Sequence, residues 1–405
     1  MSGNAAAPGQ GTALEVLRVF TRLGLTSFGG PVAHLGYFRT EFVERRRWLD
    51  EPAYAELVAL CQFLPGPASS QVGMAIGLGR AGWMGALAAW VGFTLPSALA
   101  LIVFALGVAQ SQGLAQSGAV HGLKLAAVAV VAQAVWGMSR TLCPDLPRAL
   151  LALACAALVL AVPGSAGQVG AIVLGAGVGR WLLKLPPLPG GASWPSPVGK
   201  AAGAACLALF AALLLALPLL AAASGSLAMQ AVAVVYQAGA LVFGGGHVVL
   251  PLLQAGVVPP GWVSADDFLA GYGAAQAVPG PLFSFAAYLG ALMPSPLGGW
   301  IGGLAMLATI FLPAFLLVAG ALPFWDALRQ RAGARQAMAG VNAAVVGLLG
   351  GALLGPVGAG AIGSTPDLVL VLLAFALLVW ARLPTLGVLA LMAGLSQGLA
   401  MLAAG

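Results

Sequence analysis

Charge is what this chain has least of. Only 7% of its 405 residues are charged and 60% are hydrophobic, where a soluble domain carries roughly 25% and about 45–50%. A water-facing surface cannot be covered from that inventory, so a soluble fold is excluded and an integral membrane protein is expected. Titratable groups are equally scarce, with 11 acids and 3 histidines. HExxH, the P-loop pattern GxxxxGK[ST], the GxSxG elbow and an intramembrane pair of aspartates are all missing, which argues against an enzyme or a nucleotide-driven motor and calls for no cofactor or metal. The 4 cysteines (Cys61, Cys143, Cys155, Cys206) show no CxxC or Cys/His spacing and lie in or beside apolar runs; free thiols are expected. Met1 to Thr12 offers no basic segment ahead of an apolar one, so no cleaved signal peptide is expected. The net charge of +6 is modest and its basic residues sit at the ends of apolar runs. They speak to membrane topology rather than to nucleic acid.

Glycine and proline, by contrast, are abundant, at 58 and 27. That is too many for simple lipid-facing helices and suggests close helix packing and interrupted spans. Their placement is not random. Phe28-Gly29-Gly30 is followed by Trp48, Gln62 and Pro65-Gly66-Pro67, and Phe243-Gly244-Gly245 by Trp262, Gln276 and Pro279-Gly280-Pro281. The offset is 215 at the first motif, 214 at the next three, and 217 where Gly82-Trp83 and Pro96 match Gly299-Trp300 and Pro313. A shared register of this kind marks two homologous halves of a transporter built around broken helices. The expected division is a first repeat over 1–184, a linker and connecting span over 185–222, and a second repeat over 223–405.

Apolar runs place spans near 13–30, 82–109, 118–140, 147–163, 167–184, 201–222, 227–246, 298–322, 334–355, 367–381 and 384–402, with runs at 53–80 and 265–293 broken at Pro-Gly-Pro. A full span needs about 20 residues. If each broken run crosses once, thirteen crossings result, the halves are inverted, and the N-terminus lies in the cytoplasm with the C-terminus outside. Nearly all Lys and Arg then fall on the cytoplasmic side, as the positive-inside rule asks; Lys124 and the charged segment 33–51 are the exceptions. If the broken runs are re-entrant hairpins instead, the repeats become parallel and the Arg329–Arg335 loop falls on the wrong side. The inverted arrangement is therefore the expectation.

A broken helix exposes N–H groups at one new end and carbonyls at the other. After Pro67 come Ser69, Ser70 and Gln71, donors on the positive end of a helix dipole that suit an oxyanion. After Pro281 the matching stretch holds only Ser284 among apolar residues. The six break residues Pro65, Gly66, Pro67, Pro279, Gly280 and Pro281 have a purely structural reading as kinks, which the duplicated register weakens. Ser27, Gly29 and Gly30 end the first run and present backbone N–H groups, or serve only close packing. Arg18 is near enough to a span end to snorkel, whereas Arg22 lies deeper and is a candidate oxyanion ligand. Gln62 and Gln276 are the aligned polar pair ahead of the two breaks and are candidate cavity liners. Glu56, His34 and His247 are candidate proton carriers, each with a structural alternative as a capping or hydrogen-bonded residue. These readings favour the first half as the anion-binding one.

The stretch from Arg22 to Leu35, Arg22-Leu23-Gly24-Leu25-Thr26-Ser27-Phe28-Gly29-Gly30-Pro31-Val32-Ala33-His34-Leu35, resembles the N-terminal signature of the chromate ion transporter family. So do Glu44-Arg45-Arg46-Arg47-Trp48-Leu49 and Gln62-Phe63-Leu64-Pro65-Gly66-Pro67, with Phe243-Gly244-Gly245-Gly246, Gly261-Trp262 and Gln276-Ala277-Val278-Pro279-Gly280-Pro281 resembling its second domain. The likeness spans nearly the whole chain in the two-domain form. It implies export of chromate across the cytoplasmic membrane and chromate resistance, with sulfate as the close chemical mimic. The family's usual polar residues after the second break are replaced here by Leu282 and Phe283. Lipid and oxyanion are the implied partners, nucleic acid is not, and a homodimer is left open. A membrane sensor that binds an oxyanion without moving it is the alternative from another class.

Overall fold

The computed structural model describes residues 11–110, 118–185, 196–243 and 246–404. Every regular element among them is helical. Six helices are long and apolar enough to cross a membrane, and the remainder are shorter for reasons written in the local sequence.

α1 (Ala13–Thr26) begins on Thr12, whose hydroxyl accepts from the Glu15 N–H at 3.2 Å. It buries Val16, Val19, Phe20 and Leu23, the stripe of a single helical face. It does not run on to residue 30, because Ser27 is extended and Gly29 takes φ 97°. α2 (Gly30–Arg39) then starts a new helix, prolonged by a π-helical turn over Thr40–Arg45. α3 (Glu51–Phe63), capped by Asp50, stops where Pro65 forbids a helical residue before it. α4 (Ala68–Gln110) bends back on itself at Ala81 and Gly82, the latter at φ 63°.

Ion pairs show how these pieces turn. Glu15 at the start of α1 bonds Arg80 at 3.3 Å and approaches Arg46, beyond α2, at 3.9 Å. Arg39 at the end of α2 bonds Glu51 at the start of α3 at 2.8 Å. The start of α1, the end of α2, the start of α3 and the end of the first segment of α4 therefore lie together. Two helical hairpins, α1–α2 and α3 with the first segment of α4, enter from one end of the molecule and carry Phe-Gly-Gly and Pro-Gly-Pro at their tips.

α4's second segment, α5 (Gly118–Leu142), α6 (Leu146–Ala161), α7 (Ser165–Leu182) and α8 (Lys200–Ser224) run from end to end. Asp145 caps α6, and the Arg148 guanidinium, bonded at 2.6 and 2.9 Å, holds its carboxyl below the usual range. α9 (Leu227–Ala240), α10 (Val249–Val257), α11 (Ala265–Ala277) and α12 (Phe285–Leu292) repeat the two hairpins. The Tyr288 hydroxyl of α12 donates to the Asp267 carbonyl near the start of α11 at 2.9 Å, which an unfolded broken span would keep far apart. α13 (Gly299–Ala321), the short α14 (Trp325–Gln330), α15 (Ala332–Ala352), the short α16 (Gly358–Ala361), α17 (Thr365–Val379) and α18 (Thr385–Ala404) complete the chain.

The expectation of thirteen crossings is thus corrected in its premise. The runs at 13–30 and 227–246 are half-hairpins, and the Pro-Gly-Pro runs fold back rather than cross. Because both runs of a half fold back, parity is conserved and the halves still enter from opposite ends. Glu56 of α3 bonds Arg329, after α13, at 2.7 Å. Lys124 near the start of α5 bonds Asp266 of α11 at 2.7 Å at the other end, beside the His121–Asp367 pair at 2.8 Å. The segment 33–51, an exception to the charge rule above, now joins the other basic residues at the Glu56 end.

The halves also exchange helices. α5 packs on α17 and α18, and α15 packs on α6 and α7. Glycine permits both contacts: a Cβ on Gly340 of α15 would lie 2.6 Å from the Gly179 Cα of α7. Gly340→Val is expected to destabilise the protein by about 1–3 kcal/mol, read as an earlier thermal transition in detergent. α8 packs on α13 and α9, leaves most of its surface exposed and has no counterpart in the other half.

Candidate functional site

The hairpin tips of the two halves cross at the centre. The Gly66 N–H donates to the Val242 carbonyl at 2.6 Å, and the Gly280 N–H donates to the Ser27 carbonyl at 2.9 Å. Each Pro-Gly-Pro of one half is therefore tied to the residue just ahead of Phe-Gly-Gly in the other, the same bond made twice around a pseudo-twofold axis. Gly66 and Gly280 adopt φ 122° and 101°, a region that L side chains avoid. Gly244 and Gly245 of the second Phe-Gly-Gly lie outside the described residues.

Between the two crossings is a buried polar group. His34 Nε2 lies 3.2 Å from the Ser27 carbonyl and Nδ1 lies 3.3 Å from the Ser69 hydroxyl. A carbonyl only accepts, so Nε2 carries the proton and Nδ1 accepts from Ser69. The Gln71 amide donates to the Pro65 carbonyl at 2.7 Å, while Gln71 Oε1 and the Ser27, Ser70 and Thr94 hydroxyls are buried without partners. The register-matched residues of the second half are Val242, Val249, Phe283, Phe285 and Phe311 for Ser27, His34, Ser69, Gln71 and Thr94, with Ser284 the one polar match to Ser70. Ser284 turns its hydroxyl onto the Pro281 carbonyl.

Beside the second crossing lies a cavity of about 160 Å³, roughly ten times the space one water needs. Gly29, Gly30 and Pro31 line it from the first tip, Ala275, Gln276, Val278, Gly280 and Leu282 from the second, with His247, Val130 and Gln133 of α5, and Thr385 of α18. Gly29 and Gly30 are both at positive φ, 97° and 76°, so the N-terminus of α2 faces the cavity with small residues and its positive dipole end. Gln276 Nε2 is buried without a hydrogen-bond partner. His247 Nδ1 lies 2.7 Å from the Tyr272 hydroxyl. None of these lining residues is Asp, Glu, Lys or Arg. An anion here would meet N–H and amide dipoles and no opposing carboxylate, a set that stabilises negative charge while holding it weakly enough to let it leave.

The cavity draws on both halves, whereas the sequence favoured the first half as the anion-binding one. Gly29, Gly30, Gln276, Gly280 and His247 meet there. Ser27, Ser69, Ser70, Gln71 and His34 lie in the polar group between the two crossings, while Arg22 on α1 and Gln62 on α3 are exposed, and none of the seven lines the cavity. Glu56 accepts from Trp325 Nε1 at 3.0 Å as well as from Arg329, a tie between halves at the basic end. Gln133 and Thr385 were missed. Gln133 is the lone polar side chain in the apolar stretch from Leu125 to Trp136 and was readable as such; Thr385 carries no sequence signal.

The comparisons agree with the duplication. A family model described as "Chromate transporter" matches residues 14–181 and again 229–398. The chromate transport protein of Pseudomonas aeruginosa is 30% identical over 348 residues, 82% of this chain and 78% of that protein. The probable chromate transport protein of Synechococcus elongatus is 30% identical over 347 residues, 84% and 83% of the two chains. The chromate transport protein of Cupriavidus metallidurans is 28% identical over 345 residues, 85% and 82%. No solved structure matches the chain. Two matched repeats, apolar helices throughout and a cavity at the crossing of the repeats make this a multi-pass membrane transporter, and the chain belongs to the chromate transporter family.

Proposed function

We propose that the protein exports chromate from the cytoplasm and so confers chromate resistance, with the cavity between Gly29-Gly30 and Gln276 as the substrate site. The observation that carries this is the neutral donor set at the meeting point of two inverted halves, where half-helix ends offer dipoles to an anion. The end bearing Arg39, Arg45, Arg140, Arg148, Arg180 and Arg329 is assigned to the cytoplasm by the positive-inside rule. Expelling a dianion is then favoured by about 4.6 kcal/mol at 100 mV, at ~2.3 kcal/mol per charge. Membrane potential suffices as the driving force against modest gradients; exchange for sulfate or proton coupling through His247 or His34 would add to it.

Chromate and sulfate are both tetrahedral dianions, and the same donors suit either. The test is chromate flux into inside-out vesicles, with sulfate as competitor. Gln276→Leu removes one donor to a charged ligand, a change of about 1.5–3 kcal/mol, and is expected to weaken half-saturation by at least about tenfold while the protein still inserts. Wild-type vesicles no faster than empty ones would end the transport reading, and an unchanged Gln276→Leu profile would remove the cavity from it.

A further inference from the structure

The α1–α2 hairpin carries charge at a depth where lipid would exclude it. Glu15, Arg18, Arg22 and Thr26 recur at helical spacing and form a polar stripe along one side of α1. Leu14 and Leu25 occupy another side and are exposed, as are Arg18, Arg22 and Thr26. From Thr12 to Arg22 is about 15 Å of helix at ~1.5 Å per residue. An arginine that deep faces a water-filled space rather than acyl chains. Arg39, Arg45 and Arg329 are held by carboxylates; the Arg22 guanidinium has no partner among the described residues.

What the stripe faces follows from the second half. Gln237, Leu241 and Leu252 match Arg22, Thr26 and Tyr37 at the offset of 215, and they pack against Gln168 and Val169 at the start of α7. The helix that corresponds to α7 is α18, so the start of α18 lies opposite Arg22 and Thr26. Here the face is open: Tyr37 is 44% exposed where Leu252 is 7%. Thr385 begins α18 and lines the cavity. Just ahead of it, the turn from α17 is set deep. The Gln133 amide donates to the Leu378 carbonyl at 3.5 Å, and the Leu383 N–H donates to the Leu377 carbonyl at 3.0 Å. The turn thus ends level with Gln133, a cavity residue, whereas α5 runs on to Leu142, about 14 Å further at ~1.5 Å per residue. Arg382 stands in this turn, exposed, at φ 53° and with no partner among the described residues. Glycine or asparagine is usual in that left-handed region, so a long cation is held there at a conformational cost.

We propose that the recess between the α1 stripe and the α17–α18 turn is a water-filled vestibule to the cavity, and that Arg22 and Arg382 capture the oxyanion in it. This rests on the transport reading above. The cavity lining holds no charged residue, so nothing within it draws a dianion from bulk water. Two unneutralised guanidiniums at its mouth raise the local anion concentration and offer paired N–H donors to a tetrahedral oxyanion. Keeping those charges outside the cavity speeds entry without tightening the site that must later let go.

The test uses the full-length chain in open membrane sheets, where charged methanethiosulfonates reach both faces but not the bilayer interior. Thr26→Cys reports on the stripe and Leu25→Cys on the neighbouring apolar side at the same depth; the chain without either, with its own four cysteines, supplies the background. Thr26→Cys is expected to label faster than Leu25→Cys, and faster with an anionic reagent than with a cationic one of the same size. Adding Arg382→Gly should cut that anionic preference about fivefold, and Arg382→Lys should keep most of it. Glycine accepts φ 53° without strain, so the Gly variant tests the charge and not the fold. In chromate flux, Arg382→Gly is expected to raise half-saturation about fivefold at low ionic strength and little at high, where salt screens the lost charge. Thr26→Cys labelled no faster than Leu25→Cys, or an anionic preference that neither Arg382→Gly nor Arg22→Gln lowers, overturns the proposal. Labelling needs no transport. Anionic preference that persists in a chain without chromate flux therefore counts against the transport reading and leaves the vestibule standing.

Discussion

Replacing Gly280 by alanine is expected to cut chromate flux by at least about tenfold while the protein remains in the membrane. Gly280 sits at φ 101°, and an L residue there costs roughly 1–2 kcal/mol. The added Cβ would lie 3.0 Å from the Ser97 hydroxyl and 3.1 Å from the Phe93 carbonyl, so the tip must shift away from α4. Either response loosens the bond from the Gly280 N–H to Ser27 and moves a wall of the cavity. Two such effects together exceed the ~1.4 kcal/mol that a tenfold change requires. Gly66→Ala is the internal comparison. It sits at φ 122°, and its Cβ would come within 2.8 Å of the Gln71 amide, yet it lines no part of the cavity. It should cost similar stability and less affinity. Equal affinities in Gly280→Ala and the unmodified chain, measured by flux against chromate concentration, would detach the second crossing from the substrate site.

Glu56→Ala is expected to be the most destabilising single change at the basic end. The Glu56–Arg329 pair is largely buried, at 18% and 13% side-chain exposure. Breaking one partner of such a pair costs about 3–5 kcal/mol when the other charge is stranded. Asp326, 3.2 Å from Arg329, shares the guanidinium, so the lower part of that range is expected. The indole of Trp325 loses its acceptor as well. Glu56→Gln separates this role from proton carriage: a structural tie predicts a lower thermal midpoint with flux per folded molecule preserved. Unaltered melting together with flux that no longer responds to a pH gradient would restore Glu56 as the proton carrier.

Much of this architecture was legible from spacing. The offsets between Phe-Gly-Gly and Pro-Gly-Pro disclosed the two halves, and the charge distribution pointed to their inversion. What spacing concealed was that Ser27 ends α1 after only fourteen helical residues. The apolar run continues through Phe28 and Pro31, and hydropathy does not distinguish a turn at the tip of a hairpin from a kink inside a span. The error in counting crossings came from this turn, from its mate in the second half and from the two Pro-Gly-Pro runs that fold back, and the misplaced 33–51 segment was its visible symptom. Some residues that line the cavity were legible, because glycines at positive φ leave a sequence trace, as do amides in apolar runs. Their meeting was not legible, because only three-dimensional crossing brings Gly29 beside Gln276. Of the two hydroxyls expected to face a ligand, Ser69 meets His34 and Ser70 is buried without a partner.

The unmatched helix α8 has a consequence for how such a chain can arise. Each half contributes two re-entrant hairpins, which do not change sides, and four end-to-end helices, which return the chain to the side it left. Two halves joined directly would therefore insert the same way round, and their tips could not meet head to head. α8, which packs on α13 and α9 and leaves most of its surface exposed, supplies the one extra pass that turns the second half over. A single half made as a separate polypeptide would have no such adaptor. To build this crossing it would have to enter the bilayer in both orientations, or find a sister chain whose arginines lie at the opposite ends.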